Sequence, residues 1–275
     1  MKKLTPLKPS QPVRLHDYDP GDHCGLSDKD RTVEKTDAIA QEIGELQQQL
    51  FTDSTQALLI VLQGMDTAGK DGTIRRVFDH VNPAGMVVSS FKTPSTEEKS
   101  HDFLWRIHQR VPAFGQIGIF NRSHYEDVLV VRVHADTLLP LHLRSETGLF
   151  KARFDMINAF ETLLTQSRTR VVKFFLHISK DEQEKRLESR EKDRSKRWKL
   201  SDADFAERKF WKKYQQCYED VLRFTSTEHS PWYVIPSDHK WVRDHCVARI
   251  VRDTLQSMHP HPPSVDAKSA LNLKR

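Results

Sequence analysis

The apolar residues of the chain follow two alternating patterns. Short continuous apolar runs indicate buried strands, whereas apolar residues that recur every three or four positions indicate amphipathic helices. The runs predict strands over 57–62, 86–91, 115–120, 171–178 and 232–235. The helical spacing predicts helices over 30–51, 74–81, 96–110, 150–166, 181–192, 201–224 and 240–258, with another beginning in 124–133. This alternation predicts an α/β fold, a parallel sheet flanked by helices on both faces, whose ligand binds at the carboxyl ends of the strands.

The two ends of the chain lack this periodicity. Residues 1–30 predict an extended N-terminal arm, residues 31–258 a single domain, and residues 259–275 a flexible tail. No apolar run approaches the ~18 residues of a membrane span. The cysteines are too few and too far apart for a disulfide framework or a metal site; they are Cys24, Cys217 and Cys246. We therefore expect a cytoplasmic protein that does not associate with a membrane.

Positive charge is concentrated in one segment. The chain has 43 Lys and Arg against 38 Asp and Glu, a net charge of +5. Residues 185–199 hold eight basic and three acidic side chains, so their net charge, 8 − 3 = +5, equals that of the whole chain. A balanced body with one cationic segment indicates a polyanionic ligand bound in one place, although a solvated helix face explains the charge equally well.

The turn after the first predicted strand has the spacing G-x-x-x-x-G-K, from Gly64 to Lys70. In such a loop the backbone N–H groups converge on phosphate oxygens and the lysine adds a positive charge. We predict a phosphate loop here rather than an ordinary turn between strand and helix. The predicted phosphate-binding residues of this loop are Gly64, Ala68, Gly69, Lys70, Asp71 and Gly72.

The loop departs from the usual motif at the position that holds magnesium. Asp71 follows Lys70 where Ser or Thr is usual, and Thr73 is a possible substitute. Asp66 lies inside the loop, and a carboxylate among anion-binding amides is best explained by a cation that joins it there. We predict that Asp66 binds Mg²⁺; the alternative is that it caps the turn through its own backbone.

A second polar motif follows the third predicted strand, beginning at Asn121 and Arg122. Arg122 is placed to contact phosphate through charge-assisted hydrogen bonds. Asn121 is a weak metal ligand, so Glu126 or Asp127 could supply the missing carboxylate. A helix N-terminus with acidic residues in its first turn would explain the acids, but not Asn and Arg together at a strand end.

The basic segment lies between two predicted helices, where phosphate-loop kinases have a lid that closes over the transferring phosphoryl group. We predict a lid over about 185–213, with Trp198 as its anchor and cations at Arg190, Lys196, Arg197 and Lys199. Further polar groups at the same rim are Arg75, Arg76, Lys92, Thr93 and Pro94.

Four blocks of sequence together resemble the polyphosphate kinase 2 family. They are GMDTAGKDG (64–72), FKTPSTEEKSHDFLWRIH (91–108), IGIFNRSHYEDVLVVRVH (117–134) and REKDRSKRWKLSDAD (190–204). The resemblance implies a P-loop kinase fold with a helical lid, and an enzyme that moves phosphoryl groups between inorganic polyphosphate and nucleotides with Mg²⁺, for which Mn²⁺ is a possible substitute. Many members have Asp where this chain has Asn121. That departure resembles the subgroup that phosphorylates both nucleoside mono- and diphosphates, and Glu126 is then our choice for the second metal ligand.

The resemblance also implies roles for individual residues. Catalytic roles are expected for Asp66, Lys70, Arg122 and Arg190. Polyphosphate is expected to contact the phosphate loop, the lid cations, and Arg208, Lys209, Lys212 and Lys213. The nucleotide is expected at Arg75, Lys92, Thr93, Pro94, Asn121 and Glu126, and the metal at Asp66, Glu126 and Asp127.

The expected reaction is reversible transfer of the terminal phosphoryl of polyphosphate to AMP or ADP, or to GMP or GDP. The expected assembly is a homo-oligomer, a dimer or tetramer. An ATP-dependent nucleotide or nucleoside kinase is the alternative enzyme; it would need a specific adenine pocket for its donor. A nucleic-acid-binding protein using Trp198, Phe210 and Trp211 would leave Asp66 and Lys70 without a role, so no nucleic-acid partner is expected.

Overall fold

The computed structural model describes residues 4–144, 146–193 and 202–261. Five strands form one parallel sheet in the order β2-β3-β1-β4-β5. The strands are β1 (Ala57–Gln63), β2 (Met86–Ser90), β3 (Ile117–Asn121), β4 (Thr169–His177) and β5 (Trp232–Pro236). Each predicted strand is present, and the predicted fold class is confirmed.

Helices cover the sheet, and the longest are α1 (Lys29–Asp53), α8 (Leu149–Gln166) and α12 (Lys240–Met258). The other long helices are α2 (Lys70–Val77), α9 (Lys180–Lys192) and α11 (Trp211–Thr225). The short ones are α3 (Thr96–Lys99), α4 (Trp105–His108), α5 (Val130–Val133), α6 (Ala135–Leu138), α7 (Leu141–Arg144) and α10 (Asp202–Glu207). None of the helices in the described ranges is long and apolar enough to cross a membrane.

The central strand β1 shows why a continuous apolar run predicts a buried strand. All seven residues of β1 are buried, because β3 and β4 pair with it on either side and helices cover both faces. The edge strand β2 differs: Val87 and Val88 are exposed. In register, Leu62 of β1 lies beside Asn121 of β3, so the loops after these two strands leave the sheet side by side.

Three predicted helices are interrupted or begin as a 3₁₀ turn, and the helix predicted over 74–81 is Lys70–Val77. The predicted helix 96–110 is two short helices, because the carboxylate of Asp102 accepts the N–H of Leu104 and forms a turn between them. The predicted helix in 124–133 starts as a 3₁₀ turn, His124–Asp127, before α5. The predicted helix 201–224 is interrupted by a 3₁₀ turn at Arg208–Phe210, between α10 and α11.

The predicted arm has a 3₁₀ turn at Leu15–Asp17 and several other tight turns, and it contributes to the core. Leu7, Val13 and Leu15 are buried in the same apolar cluster as the strands. The Leu7 N–H donates to Trp232 O of β5 at 2.9 Å, and the Leu15 N–H donates to Glu219 Oε1 at 2.7 Å. The arm is therefore attached to β5 and α11. Lid residues 194–201 and tail residues 262–275 lie outside the described ranges.

Candidate active site

The predicted phosphate loop joins β1 to α2 at the carboxyl edge of the sheet. Its backbone needs glycine at two positions. Gly64 has φ +156° and Gly69 φ +109°, in the region that side chains disfavour. A Cβ on Gly64 would lie 2.7 Å from Leu176 O, and a Cβ on Gly69 would collide with the guanidinium of Arg243. The loop is thus closely surrounded by protein and has the strand–loop–helix context of a phosphate-binding turn.

Two buried arginines hold the carbonyl side of this loop. Arg186 of α9 donates to Thr67 O at 3.0 Å and to Ala68 O at 3.3 Å, and also to Ser237 O and Asp238 O after β5. Arg243 of α12 donates to Ala68 O at 3.1 Å. Because these carbonyls face the arginines, the N-terminus of α2 can meet an anion on the other side.

The side chain of Lys70 lies within the loop and is 9% exposed. Its Nζ donates to Gly64 O at 2.7 Å and to Met65 O at 3.4 Å. Burial lowers the pKa of Lys70 to about 8, with Arg122 acting in the same direction; the carboxylates of Asp66 and Glu126 oppose the shift. An anion bound at the loop would favour the charged form of this lysine.

Arg122 connects the two predicted motifs. It has φ +64°, a left-handed conformation that is unusual for a side chain of this size. Its Nη2 lies 3.0 Å from Asp66 Oδ1, and its Nη1 lies 3.9 Å from Glu126 Oε2. Beside it, Asn121 Nδ2 donates to Asp71 Oδ1 at 2.7 Å. The ends of β1 and β3 thus bring Lys70, Asp66, Arg122 and Glu126 into one group.

The carboxylates of Asp66 and Glu126 suit a magnesium ion. Both approach the same guanidinium, Asp66 at Nη2 and Glu126 at Nη1 of Arg122. The described residues contain no cluster of three or more metal-ligating side chains. Mg²⁺ is typically held by one or two carboxylates together with substrate phosphates and water, so this pair of oxygen ligands fits it.

Asp127 is placed differently from the other predicted metal ligands. Arg153 Nη1 lies 3.9 Å from its Oδ1 and donates to its backbone carbonyl at 2.6 Å. Burial raises the pKa of Asp127 to about 6, against the opposing charges of Arg153 and Arg106. The structure therefore places Asp127 against Arg153 rather than on Arg122, and its part in the metal site stays a prediction.

Of the remaining predicted residues, most are at least partly exposed at the rim, and one holds two helices together. Lys92, Thr93 and Arg75 are exposed, and Pro94 is half-buried. Arg106 donates to Lys92 O at 2.8 Å and so supports the loop that follows β2. Arg76, in contrast, pairs with Asp37 of α1 at 2.6 Å, a contact that holds α2 against α1.

In the described part of the predicted lid, some cations contact protein groups and others are exposed. Arg190 lies half-buried in the last turn of α9. Arg208 pairs with Glu184 at 2.6 Å, and Lys213 donates to Val133 O. Lys209 and Lys212 are exposed. Lys196, Arg197, Trp198 and Lys199 lie outside the described residues.

Sequence reasoning missed the residues that support the site from behind. Arg186 was counted as part of the charged lid, and Arg243 lies in a helix whose pattern predicted only packing. Burial raises the pKa of both Tyr214 and Tyr218 of α11. For Tyr214 the next cause is Glu207, which accepts a hydrogen bond from its hydroxyl at 2.9 Å, and the charge of Glu126 raises the pKa of both tyrosines further. A helical pattern shows that such residues face inward, but not which loop they reach.

A glycine-rich loop between a buried strand and a helix, a buried loop lysine, and an acid–arginine pair at the next strand define a phosphate-loop kinase. The sequence model of polyphosphate kinase 2 matches residues 26–263. The chain belongs to the polyphosphate kinase 2 family.

Relatives of known name agree with this assignment. The chain is 42% identical to an AMP/ADP-polyphosphate phosphotransferase of Meiothermus ruber over 98% of both chains. It is also 42% identical to an ADP-polyphosphate phosphotransferase of Rhodopseudomonas palustris, over 86% of this chain and 84% of that protein. The crystal structure of polyphosphate kinase 2 from Arthrobacter aurescens superposes with a TM-score of 0.88 over 100% of both chains, at 37% identity.

Proposed function

We propose that this protein is a polyphosphate:nucleotide phosphotransferase that transfers the terminal phosphoryl of inorganic polyphosphate to AMP and ADP, reversibly. The observation that carries the proposal is full-length similarity to a relative named AMP/ADP-polyphosphate phosphotransferase, combined with a phosphate loop that has Asp66 and Lys70 in place. GMP and GDP are proposed as further acceptors. The proposed assembly is a homo-oligomer in the cytoplasm, where the three buried thiols would stay reduced.

The residues of the site can carry out this reaction mainly by positioning and by neutralising charge. Phosphoryl transfer has a loose transition state whose charge is spread over three equatorial oxygens, and it needs little covalent help from the protein. Lys70, Arg122 and Arg190 would bind these oxygens. Bound Mg²⁺, held by Asp66 and Glu126, would neutralise charge on the donor and acceptor phosphates. The carboxylates of Asp66 and Glu126, 3.0 Å and 3.9 Å from its guanidinium, would help to orient Arg122.

The acceptor and the donor would enter from different sides. Lys92, Thr93 and Pro94 follow β2, and Arg75 is exposed on α2. We place the nucleotide at these residues and Asn121. The exposed Lys209 and Lys212, together with the lid cations, would hold the polyphosphate chain. A repeating polyanion gains from a row of flexible cations, because each phosphate is equivalent to the next.

The alternative, an ATP-dependent kinase, is tested by supplying the two donors separately. Purified protein with Mg²⁺ and AMP or ADP should form ATP from polyphosphate, and the rate should fall by about 10²–10³-fold in Lys70→Met, the matched control. Phosphorylation of AMP by ATP in the absence of polyphosphate, with no product from polyphosphate, would contradict the proposal. Light scattering of the same preparation tests the homo-oligomer.

A further inference from the structure

A cluster of polar side chains is buried in the core directly behind the turn that carries Arg122. Lys173 of β4 and Glu161 of α8 are 0% and 1% exposed, and their Nζ and Oε2 atoms lie 2.5 Å apart. Lys173 also donates to Thr225 O at 2.6 Å, and the hydroxyl of Ser230 donates to Glu161 Oε2 at 2.8 Å. Nothing in the proposed chemistry uses this ion pair, because it lies away from solvent and substrate.

The cluster reaches the site through one hydroxyl group. Tyr125 Oη donates to Glu161 Oε1 at 2.7 Å and accepts from Lys173 Nζ at 3.0 Å. Its neighbour His124 has Nε2 3.3 Å from the same Glu161 oxygen. Tyr125 and His124 are fully buried and belong to the 3₁₀ turn that also contains Glu126. The turn therefore presents His124 and Tyr125 to the buried pair and Glu126 to Arg122, which lies two residues before the turn and pairs with Asp66 of the phosphate loop.

The backbone around Arg122 needs neighbouring groups that hold it in place. Arg122 has a left-handed backbone, which persists only where the surroundings hold it. Toward β1, the N–H of Arg122 donates to Leu62 O at 3.2 Å, and Gln63 Nε2 donates to the hydroxyl of the next residue, Ser123 Oγ, at 3.2 Å. On the downstream side, the contacts of His124 and Tyr125 with the ion pair fix the turn. The strained residue is thus fixed from both sides.

Stability alone is a poor explanation for this ion pair. Taking two charges out of water costs free energy, and well-packed apolar residues in the same volume are often as stable or more stable. A fixed, directional acceptor is something that apolar residues cannot supply. Lys173 keeps Glu161 ionised in the core: although burial opposes it, the pKa of Glu161 lies below its ordinary value.

We propose that the Glu161–Lys173 pair, acting through the hydroxyl of Tyr125, is a positioning device that holds Arg122 in its strained conformation against Asp66. Tyr125 is then a positioning residue for phosphoryl transfer. The inference rests on the proposed function for its kinetic consequences, but the geometry it explains is independent of which phosphate compound is the donor.

The test is Tyr125→Phe, which removes the hydroxyl and keeps the ring packed against Trp232. A misplaced Arg122 affects the transition state more than substrate binding, so kcat should fall by about ten- to a hundredfold with KM for polyphosphate little changed. The matched control is Tyr233→Phe, whose ring packs against Phe174 of β4, and which should keep wild-type kcat. Unchanged kcat in Tyr125→Phe would overturn the proposal.

A double-mutant cycle separates positioning from loss of packing. If Tyr125 acts through Arg122, adding Tyr125→Phe to Arg122→Ala should lower kcat no further. Additive losses would overturn the proposal, because the hydroxyl would then act independently of Arg122.

Hydrogen exchange supplies a readout without substrate. In Tyr125→Phe, the amides of 121–127 should exchange faster than in wild type, while those of β1 stay protected. Unchanged exchange over 121–127 would overturn the inference. Absence of wild-type turnover with polyphosphate would instead contradict the proposed function and leave the exchange experiment to judge this inference separately.

Discussion

The buried ammonium group of Lys70 lowers the stability of the folded protein but is placed to bind phosphate. It is almost completely buried among backbone carbonyls, and burial lowers its pKa to about 8. Lys70→Met should lower kcat by about 10²–10³-fold, because a charge aimed at the transferring phosphoryl is lost. The same variant should be more stable than wild type at pH 7, since no cation has to be desolvated.

The pH dependence of that stability difference has a defined sign. Between about pH 8 and the ordinary lysine pKa of 10.5, the unfolded chain binds more protons at Lys70 than the folded chain does. The contribution of Lys70 to the free energy of unfolding of the wild-type protein therefore rises with pH over this range. Urea unfolding of both proteins should show the advantage of Lys70→Met shrinking from pH 8 to pH 10. A difference in free energy of unfolding that stays constant from pH 8 to pH 10 would show that Lys70 is not desolvated. So would a Lys70→Met variant that is less stable than wild type at pH 7.

We predict that the three carboxylates near the site differ in their effect on the Mg²⁺ requirement. Asp66→Asn should abolish Mg²⁺-dependent activity, and Glu126→Gln should raise the Mg²⁺ concentration needed for half-maximal rate, because an amide lacks the charge that holds a hard cation. Asp127→Asn serves as the matched control: its carboxylate lies against Arg153, so the Mg²⁺ requirement should not change. Activity titrated with Mg²⁺ measures all three. A shift in Asp127→Asn with none in Glu126→Gln would reverse our assignment.

At the level of helices and loops, Arg186 links three segments of the chain. From α9 it donates to carbonyls of the phosphate loop and to Ser237 and Asp238 after β5. Arg186→Met should destabilise the protein by at least ~2 kcal/mol, because buried carbonyls would lose their donors. It should also raise KM for polyphosphate, since the loop is no longer held. The exposed neighbour Lys185→Met is the control, and urea unfolding is the measurement; equal stability of the two variants would contradict this role.

The lid cations should differ in the step they affect. Arg190→Lys should lower kcat, because the bidentate fork beside the transferring phosphoryl is lost even though the charge remains. Lys196→Gln should raise KM for polyphosphate, more for long donors than for short ones, because a distant cation contacts the donor equally before and during reaction. Steady-state kinetics with donors of defined length measures both. Equal effects on kcat at every donor length would contradict this division.

The fold was predictable because each strand has an apolar run of its own and each flanking helix has a regular apolar face. The phosphate loop was predictable because its glycines and lysine are contiguous in sequence. The interruption at Arg208–Phe210 was not, since both flanking segments have helical spacing. The pair Glu161–Lys173 was also missed, because a lysine within a β-branched and aromatic strand does not show which acid will meet it.

At the scale of the whole molecule, the residues proposed to handle phosphate collect at one edge of the sheet. The loops after β1 and β3, the last turn of α9 and the start of α11 contribute to it. The cationic segment 185–199 carries a net charge equal to that of the chain, so the rest of the surface is balanced. A polyanion would therefore be attracted to this edge rather than to the molecule as a whole.

The central claim is that phosphoryl groups pass from polyphosphate to a nucleotide at this edge. Phosphorus NMR of a single mixture of wild-type protein, Mg²⁺, AMP and polyphosphate of defined length follows donor and acceptor together. The account predicts that AMP is converted to ADP and then ATP, while the donor shortens by one phosphate for each new phosphoanhydride bond. AMP that stays unchanged while the donor is intact, or while it releases only inorganic phosphate, would contradict it.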